Sequence, residues 1–104
     1  MEEIQRESME YDVVVVGAGP SGLSTAIKIK QLAIKEDKDV SVCIVEKGSE
    51  VGAHILSGNV IDPKALNELL PNWKEDGAPL KTEVKKDSVR YLLNEKITLP
   101  APLL

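Results

Sequence analysis

The feature that most constrains the fold of this chain is a glycine-rich turn that directly follows an apolar run. Val13 to Val16 are four consecutive β-branched residues, a pattern typical of a strand buried on both faces. Residues 17–22 then read Gly-Ala-Gly-Pro-Ser-Gly, with the spacing G-x-G-x-x-G, and a helical apolar pattern starts at once. Strand, turn and helix in this order predict the first part of a parallel βαβ unit that binds a dinucleotide.

The residue types of this turn match the needs of phosphate binding. Gly17 allows a tight backbone turn, Gly19 allows the main chain to approach a pyrophosphate, and Gly22 allows close packing of helix on strand. The first amides of the helix are unpaired and lie at the positive end of its dipole, which favours an anion. Pro20 costs little there, because its missing N–H would have no intrahelical partner.

A second strand and an acidic residue complete the pattern. Residues 40–45 predict that strand, and Glu46 follows Gly22 at close to the spacing of roughly 20 residues expected for an acid that binds an adenosine ribose. The positive charge of Lys47 is compatible with a binding site for a 2′-phosphate on that ribose, although the negative charge of Glu46 would repel the phosphate. The helix between the strands is predicted to have an apolar face formed by Leu23, Ala26, Ile27, Ala33 and Ile34 and widened by Ile29 and Leu32.

The remaining chain predicts smaller elements. Residues 1–10 are a polar lead-in, 11–47 the βαβ unit, and 48–104 a glycine-bearing loop, a short helix and a hairpin. Asp62 and Pro63 predict the start of that helix, and residues 94–96 predict the turn of the hairpin. Two parallel strands and one helix do not make a doubly wound domain, so we expect the front part of a longer protein.

Composition excludes several classes of function. The net charge of −4 gives no sign of a nucleic-acid surface, so no nucleic-acid partner is expected. The single cysteine, Cys43, excludes an internal disulfide framework and a cysteine-held metal cluster within this segment. No apolar run approaches the roughly 20 residues of a membrane-spanning helix. The acidic start resembles neither a secretory signal nor a basic transit peptide, which favours a bacterial cytoplasmic origin or a processed chain.

Beyond Glu46 the sequence resembles the electron transfer flavoprotein–ubiquinone oxidoreductase family. The resemblance covers roughly residues 7–80 and weakens after Thr82. It is carried by the stretches Val45-Glu-Lys-Gly-Ser-Glu-Val-Gly-Ala-His-Ile-Leu-Ser-Gly58, Ile61-Asp-Pro63, Ala65-Leu-Asn-Glu-Leu69, Pro71-Asn-Trp-Lys-Glu75 and Gly77-Ala-Pro-Leu80.

The resemblance implies an α/β fold, here the Rossmann-like βαβ half of a glutathione-reductase-type FAD domain, incomplete within this chain. It also implies a 4Fe–4S cluster and a peripheral membrane contact, both formed by parts outside this chain. The whole enzyme would accept electrons from reduced electron transfer flavoprotein and pass them to ubiquinone. It would lie at the cytoplasmic side of a bacterial inner membrane, or at the matrix side of the mitochondrial inner membrane. The segment alone is expected to be inactive.

The resemblance also implies which residues contact FAD. The flavin itself carries the electrons, so no catalytic residue is assigned here, and for His54 an orienting or loop-packing role is favoured over direct proton transfer. No metal ligand is assigned, because the cysteines of the implied cluster would lie outside this chain. Ser57 would offer a hydroxyl to pyrophosphate or ribityl oxygens, and Gly58 would allow close approach. The implied FAD-binding residues are Gly17, Ala18, Gly19, Pro20, Ser21 and Gly22 for the pyrophosphate, Glu46 and Lys47 for the ribose, and Ser57 and Gly58 toward the flavin.

Three alternatives share part of this pattern. Another FAD enzyme of the same superfamily, such as a prenyl reductase or an aromatic hydroxylase, would share residues 17–46. An NAD-binding dehydrogenase would also fit Glu46. The third alternative is a truncated product that binds little by itself. The loop from Gly52 to Gly58 and the helix after it favour the ubiquinone oxidoreductase family over the other flavoenzymes.

Overall fold

The computed structural model describes residues 2–102, which form two compact units, 2–71 and 72–102. The elements in chain order are β1 (Val13–Val16), α1 (Pro20–Lys35), β2 (Val42–Val45), α2 (Lys64–Leu69), β3 (Val89–Leu92) and β4 (Thr98–Ala101). The first unit is a parallel βαβ unit with a short extra helix, and the second contains an antiparallel hairpin. The predicted fold class is confirmed.

The βαβ unit brings the carboxyl ends of both strands to one edge. β1 and β2 pair in parallel, with Val13 opposite Val42 and Val16 opposite Val45. The amide of Gly17 donates to the carbonyl oxygen of Val45 at 2.7 Å, so the glycine turn begins where β2 ends. This edge therefore holds both the N-terminus of α1 and the residues that follow β2.

Helix α1 covers one face of this two-stranded sheet, and the described residues bury β1 on that face alone. Side chains alternate along a strand, so Val13 and Val15 are half-buried while Val14 and Val16 remain 54% and 86% exposed. The described residues of this unit supply one helical layer against the sheet. The other face of β1 therefore stays open.

The packing face of α1 is narrower than predicted. Ala26 and Ala33 are buried, because small side chains let the helix lie close to the strands. Leu23 and Ile27 are half-buried. Ile34, predicted to face inward, is 76% exposed, because it lies at the side of the helix that α1 turns away from the sheet.

The short helix α2 starts one residue later than predicted. Pro63 occupies the N-cap position, and the carboxylate of Asp62 accepts a hydrogen bond from the amide of Lys64 at 3.0 Å. The side-chain amide of Gln31 donates to the carbonyl oxygen of Leu69 at 2.8 Å, which fixes the end of α2 against α1.

The hairpin of the second unit forms as predicted. β3 and β4 pair antiparallel, with Val89 opposite Ala101, and the side-chain oxygen of Asn94 accepts hydrogen bonds from the amides of Lys96 and Ile97 at 2.9 Å each. β4 includes Pro100, a residue that is tolerated where an N–H would face outward from an edge strand.

Candidate dinucleotide-binding site

The turn between β1 and α1 has the backbone geometry that dinucleotide binding requires. Gly17 has a φ of +103°, in the region that residues with a Cβ rarely adopt. Gly19 caps α1 with extended backbone angles, and its carbonyl oxygen accepts the first helical hydrogen bond, from the amide of Leu23 at 2.9 Å. Pro20 is the first residue of the helix, as predicted.

The glycines at positions 19 and 22 differ in what surrounds them. A Cβ at Gly22 would overlap the carbonyl oxygen of Gly17 and lie 3.2 Å from Cγ1 of Val15. A Cβ at Gly19 would meet nothing within 4 Å. Gly22 is therefore required by the packing of α1 on β1, whereas the space beside Gly19 is open to a ligand.

Unpaired amides border this open space. Within the part of the chain that the structure describes, the N–H groups of Gly19, Ser21 and Gly22 have no acceptor. The first turn of α1 carries no acidic side chain, so its positive dipole end is not neutralised by the helix itself. This arrangement suits the oxygens of a phosphate or pyrophosphate.

Glu46 closes the other side of the turn. One carboxylate oxygen, Oε2, accepts a hydrogen bond from the amide of Gly48 at 2.6 Å, and Oε1 accepts one from the amide of Ala18 at 3.2 Å. These two hydrogen bonds hold the pKa of Glu46 below its usual value, and the bond from Gly48 has the larger effect. Each oxygen retains further lone pairs, so the ionised carboxylate can still accept bonds from the hydroxyls of a ribose.

The other predicted site residues differ in their exposure and in whether they contact the glycine turn. Ala18 is 3% exposed and its amide is used by Glu46, so within this structure it fixes the turn rather than offering a donor. Lys47 is exposed beside Glu46. Ser57 and Gly58 lie in an exposed turn in which Gly58 has a φ of +77°, and no hydrogen bond among the described residues joins them to the glycine turn. Their contacts with a cofactor stay predictions.

Gly48 is the site residue that the sequence reasoning missed. It supplies the shorter of the two hydrogen bonds to Glu46. The signal was present in the sequence, because a glycine two residues after a carboxylate has no side chain to keep that carboxylate away from its backbone amide.

A model of NAD(P)-binding Rossmann-like domains matches residues 15–78 of this chain. The chain belongs to this family. The match begins within β1 and includes the glycine turn, β2, Glu46 and α2. It confirms the dinucleotide-binding fold predicted from the turn.

Relatives with curated names confirm the resemblance found in the sequence. The chain is 66% identical to the mitochondrial electron transfer flavoprotein-ubiquinone oxidoreductase of Dictyostelium discoideum over 95% of its own length and 16% of that protein. It is 62% identical to a probable enzyme of the same name from Acinetobacter baylyi over 95% of its length, and 52% identical to the human mitochondrial enzyme over 97%. The similarity thus extends past Thr82, after which the sequence resemblance weakened. The chain spans about a sixth of the length of these relatives.

No solved structure matches the chain. In residues 2–102, no helix has the length and apolar character needed to cross a bilayer. The same residues contain no group of three or more His, Cys, Asp or Glu side chains that could hold a metal ion.

Proposed function

We propose that this chain is the phosphate- and ribose-binding part of an FAD domain. We further propose that the protein containing it passes electrons from reduced electron transfer flavoprotein to ubiquinone. The observation that carries the proposal is the open glycine turn with unpaired amides beside Glu46, in a chain 52–66% identical to relatives named for this reaction.

The residues present fit the proposed cofactor. The open space at Gly19 admits a pyrophosphate, and the amides of Gly19, Ser21 and Gly22 can donate to its oxygens. The carboxylate of Glu46 is held ionised next to this space and can accept hydrogen bonds from the ribose hydroxyls. When bound, FAD would supply the redox chemistry, since a flavin can take up and release electrons for a quinone acceptor.

The chain's own residues would bind and orient the adenine end of the cofactor. Pro20 and the open backbone at Gly19 would present the start of α1 to the phosphates, and Lys47, exposed next to Glu46, would contact the ribose. Ser57 and Gly58 would contact the ribityl chain or the flavin ring as part of the same proposal. No residue of this chain is proposed to transfer a proton in the reaction.

The rest of the proposal concerns parts outside this chain. The relatives' names mention both electron transfer flavoprotein and ubiquinone, which supports these two molecules as partners. We place the ligands of a 4Fe–4S cluster and a peripheral membrane contact in the remaining length of the protein, at the cytoplasmic face of a bacterial inner membrane or at the mitochondrial matrix face. A membrane position would give access to ubiquinone, whose apolar tail dissolves in the bilayer.

A chimera tests the proposal in a full-length setting. In the Acinetobacter baylyi relative, this chain replaces the segment that it matches; we refer to this protein as the chimera. We expect the purified chimera to retain FAD, seen in its visible absorption spectrum, and to reduce a ubiquinone analogue when supplied with reduced electron transfer flavoprotein. A folded chimera that lacks flavin, or one that binds NADH in its place, would contradict the proposal.

A further inference from the structure

Three groups lie close to the backbone of Gly48, two residues after Glu46, the proposed ribose-binding carboxylate. A Cβ at this position would lie 2.9 Å from Oε2 of Glu46, 3.0 Å from Cδ2 of His54 and 3.2 Å from the carbonyl oxygen of Glu50. The φ of Gly48 is outside the left-handed region. A Cβ here would therefore have to displace the Glu46 carboxylate or the His54 ring, whereas the backbone conformation does not by itself require glycine.

The same contact places the imidazole of His54 beside the hydrogen bond that holds Glu46. Gly48 donates that bond through its amide, at 2.6 Å, while the ring of His54 lies on the side where a Cβ would project. Positive charge on His54 and on Lys47 also lowers the pKa of Glu46, after the two amide bonds. His54 belongs to the 52–58 loop, so this loop reaches the nucleotide end of the site as well as the proposed flavin end.

We propose that His54 is a positioning residue for the nucleotide: packed against Gly48, it holds the Glu46 carboxylate toward the glycine turn, ready for the ribose hydroxyls. The inference rests on the proposed function, because it needs a nucleotide ribose at Glu46. A protonated imidazole attracts the carboxylate, and a neutral one does not. The charged groups that act on Glu46 are His54 and Lys47.

The variant His54→Gln tests this role in the chimera. It keeps a planar polar side chain and removes the titratable charge. FAD is removed and titrated back by fluorescence at about pH 5.5 and about pH 8, because a positioning role that uses positive charge on His54 predicts an affinity that changes with pH. We expect the parent to bind FAD about two- to fivefold more tightly at the lower pH, the size of one exposed charge pair, and His54→Gln to lose this difference.

Gly48→Ala provides a second measurement that does not depend on charge. Its Cβ must displace either the Glu46 carboxylate or the His54 ring, so FAD binding is expected to weaken at both pH values. Lys35→Gln is the matched control, because Lys35 is an exposed cation at the far end of α1 and its loss should leave affinity and pH dependence unchanged. Thermal unfolding of each variant shows whether it is folded.

The results separate this inference from the proposed function. If His54→Gln keeps the parent's affinity and its pH dependence, or if Gly48→Ala binds FAD as the parent does, His54 does not position Glu46. If the parent chimera itself takes up no FAD, the proposed function fails instead. If the parent binds FAD, and the folded His54→Gln variant binds it with an affinity that does not change with pH, both the proposed function and the role of His54 are supported.

Discussion

The two ends of the β1–β2 pair use the same chemistry for different purposes. At the start of the strands, Oδ2 of Asp12 accepts hydrogen bonds from the amide and the hydroxyl of Ser41, at 2.8 and 3.0 Å. At the carboxyl end of the strands, the carboxylate of Glu46 accepts hydrogen bonds from the amides of Ala18 and Gly48. The pKa of each carboxyl is lowered, and in both cases a backbone hydrogen bond is the first cause.

This comparison shows that a carboxylate with a lowered pKa does not by itself mark a binding site. Asp12 connects the two strands, and its hydroxyl and amide partners both belong to Ser41. Glu46 does the same between the glycine turn and the loop after β2, but it also adjoins unpaired amides and the open space at Gly19. Those donors, and not the acid alone, make the carboxyl end suitable for a nucleotide.

The largest effect is expected from Gly22→Ala, which should disrupt the structure at the carboxyl end of the β1–β2 pair. The added Cβ overlaps the backbone carbonyl of Gly17, which cannot move without shifting α1 or the turn. We expect a loss of about 3 kcal/mol or more of unfolding free energy, at or beyond the upper range for overpacked sites, together with loss of flavin. Thermal unfolding of the chimera measures it, and a variant as stable as the parent would show that the close packing at Gly22 is not required.

The next largest effect is expected from Gly19→Val, which should separate binding from folding. The side chain would enter open space, where the pyrophosphate is proposed to lie, and Gly19 already has a φ of −78°. The flavin content should fall to background, while unfolding changes by no more than about 1 kcal/mol, because valine is only a poorer N-cap residue than glycine. Unchanged flavin absorption in this variant would contradict the phosphate-binding role of the turn.

Glu46→Arg should weaken FAD binding without abolishing it. The substitution replaces the proposed ribose acceptor with a cation and also removes the acceptor of the hydrogen bonds from the Ala18 and Gly48 amides. A weakening of roughly ten- to hundredfold is expected for one lost hydrogen bond to a charged group. Titration of FAD into the deflavinated chimera measures it, with Glu46→Gln as the control of matched size. An affinity equal to that of the parent would show that Glu46 does not bind the ribose.

The smallest effect is expected from Asp12→Asn, and it should leave FAD binding unchanged. Because the folded-state pKa of Asp12 is lowered, its stabilising contribution is complete above the unfolded value of about 4 and is lost as the pH falls through the folded value. The variant should therefore unfold at a slightly lower temperature near neutral pH and lose less stability on acidification than the parent. Equal acid dependence in the two proteins would show that the Asp12–Ser41 bonds contribute nothing to stability, and altered FAD affinity would show that the two ends are coupled.

The sequence predicted those parts of the fold that depend on the backbone needs of single residues. The left-handed φ of Gly17, the position of Pro20 at the start of α1 and the turn held by Asn94 all follow from residue type. The start of β2 was predicted at Val40 and lies at Val42, and the start of α2 was predicted at Pro63 and lies at Lys64. The reason is that the ends of strands and helices depend on hydrogen bonds with distant residues.

The sequence by itself determined the order of strand, glycine turn, helix, strand and acid, and with it the chemistry offered to a nucleotide. Tertiary structure decided which side chains are covered and which groups meet. In the folded chain Val16 and Ile34 are exposed, and the amide of Ala18 donates a hydrogen bond to Glu46, 28 residues further along the sequence. The ring of His54 lies close to Gly48. Turn conformations are set by local sterics, which a residue carries wherever it occurs, whereas burial and long-range contacts depend on the layers that the rest of the chain places beside it.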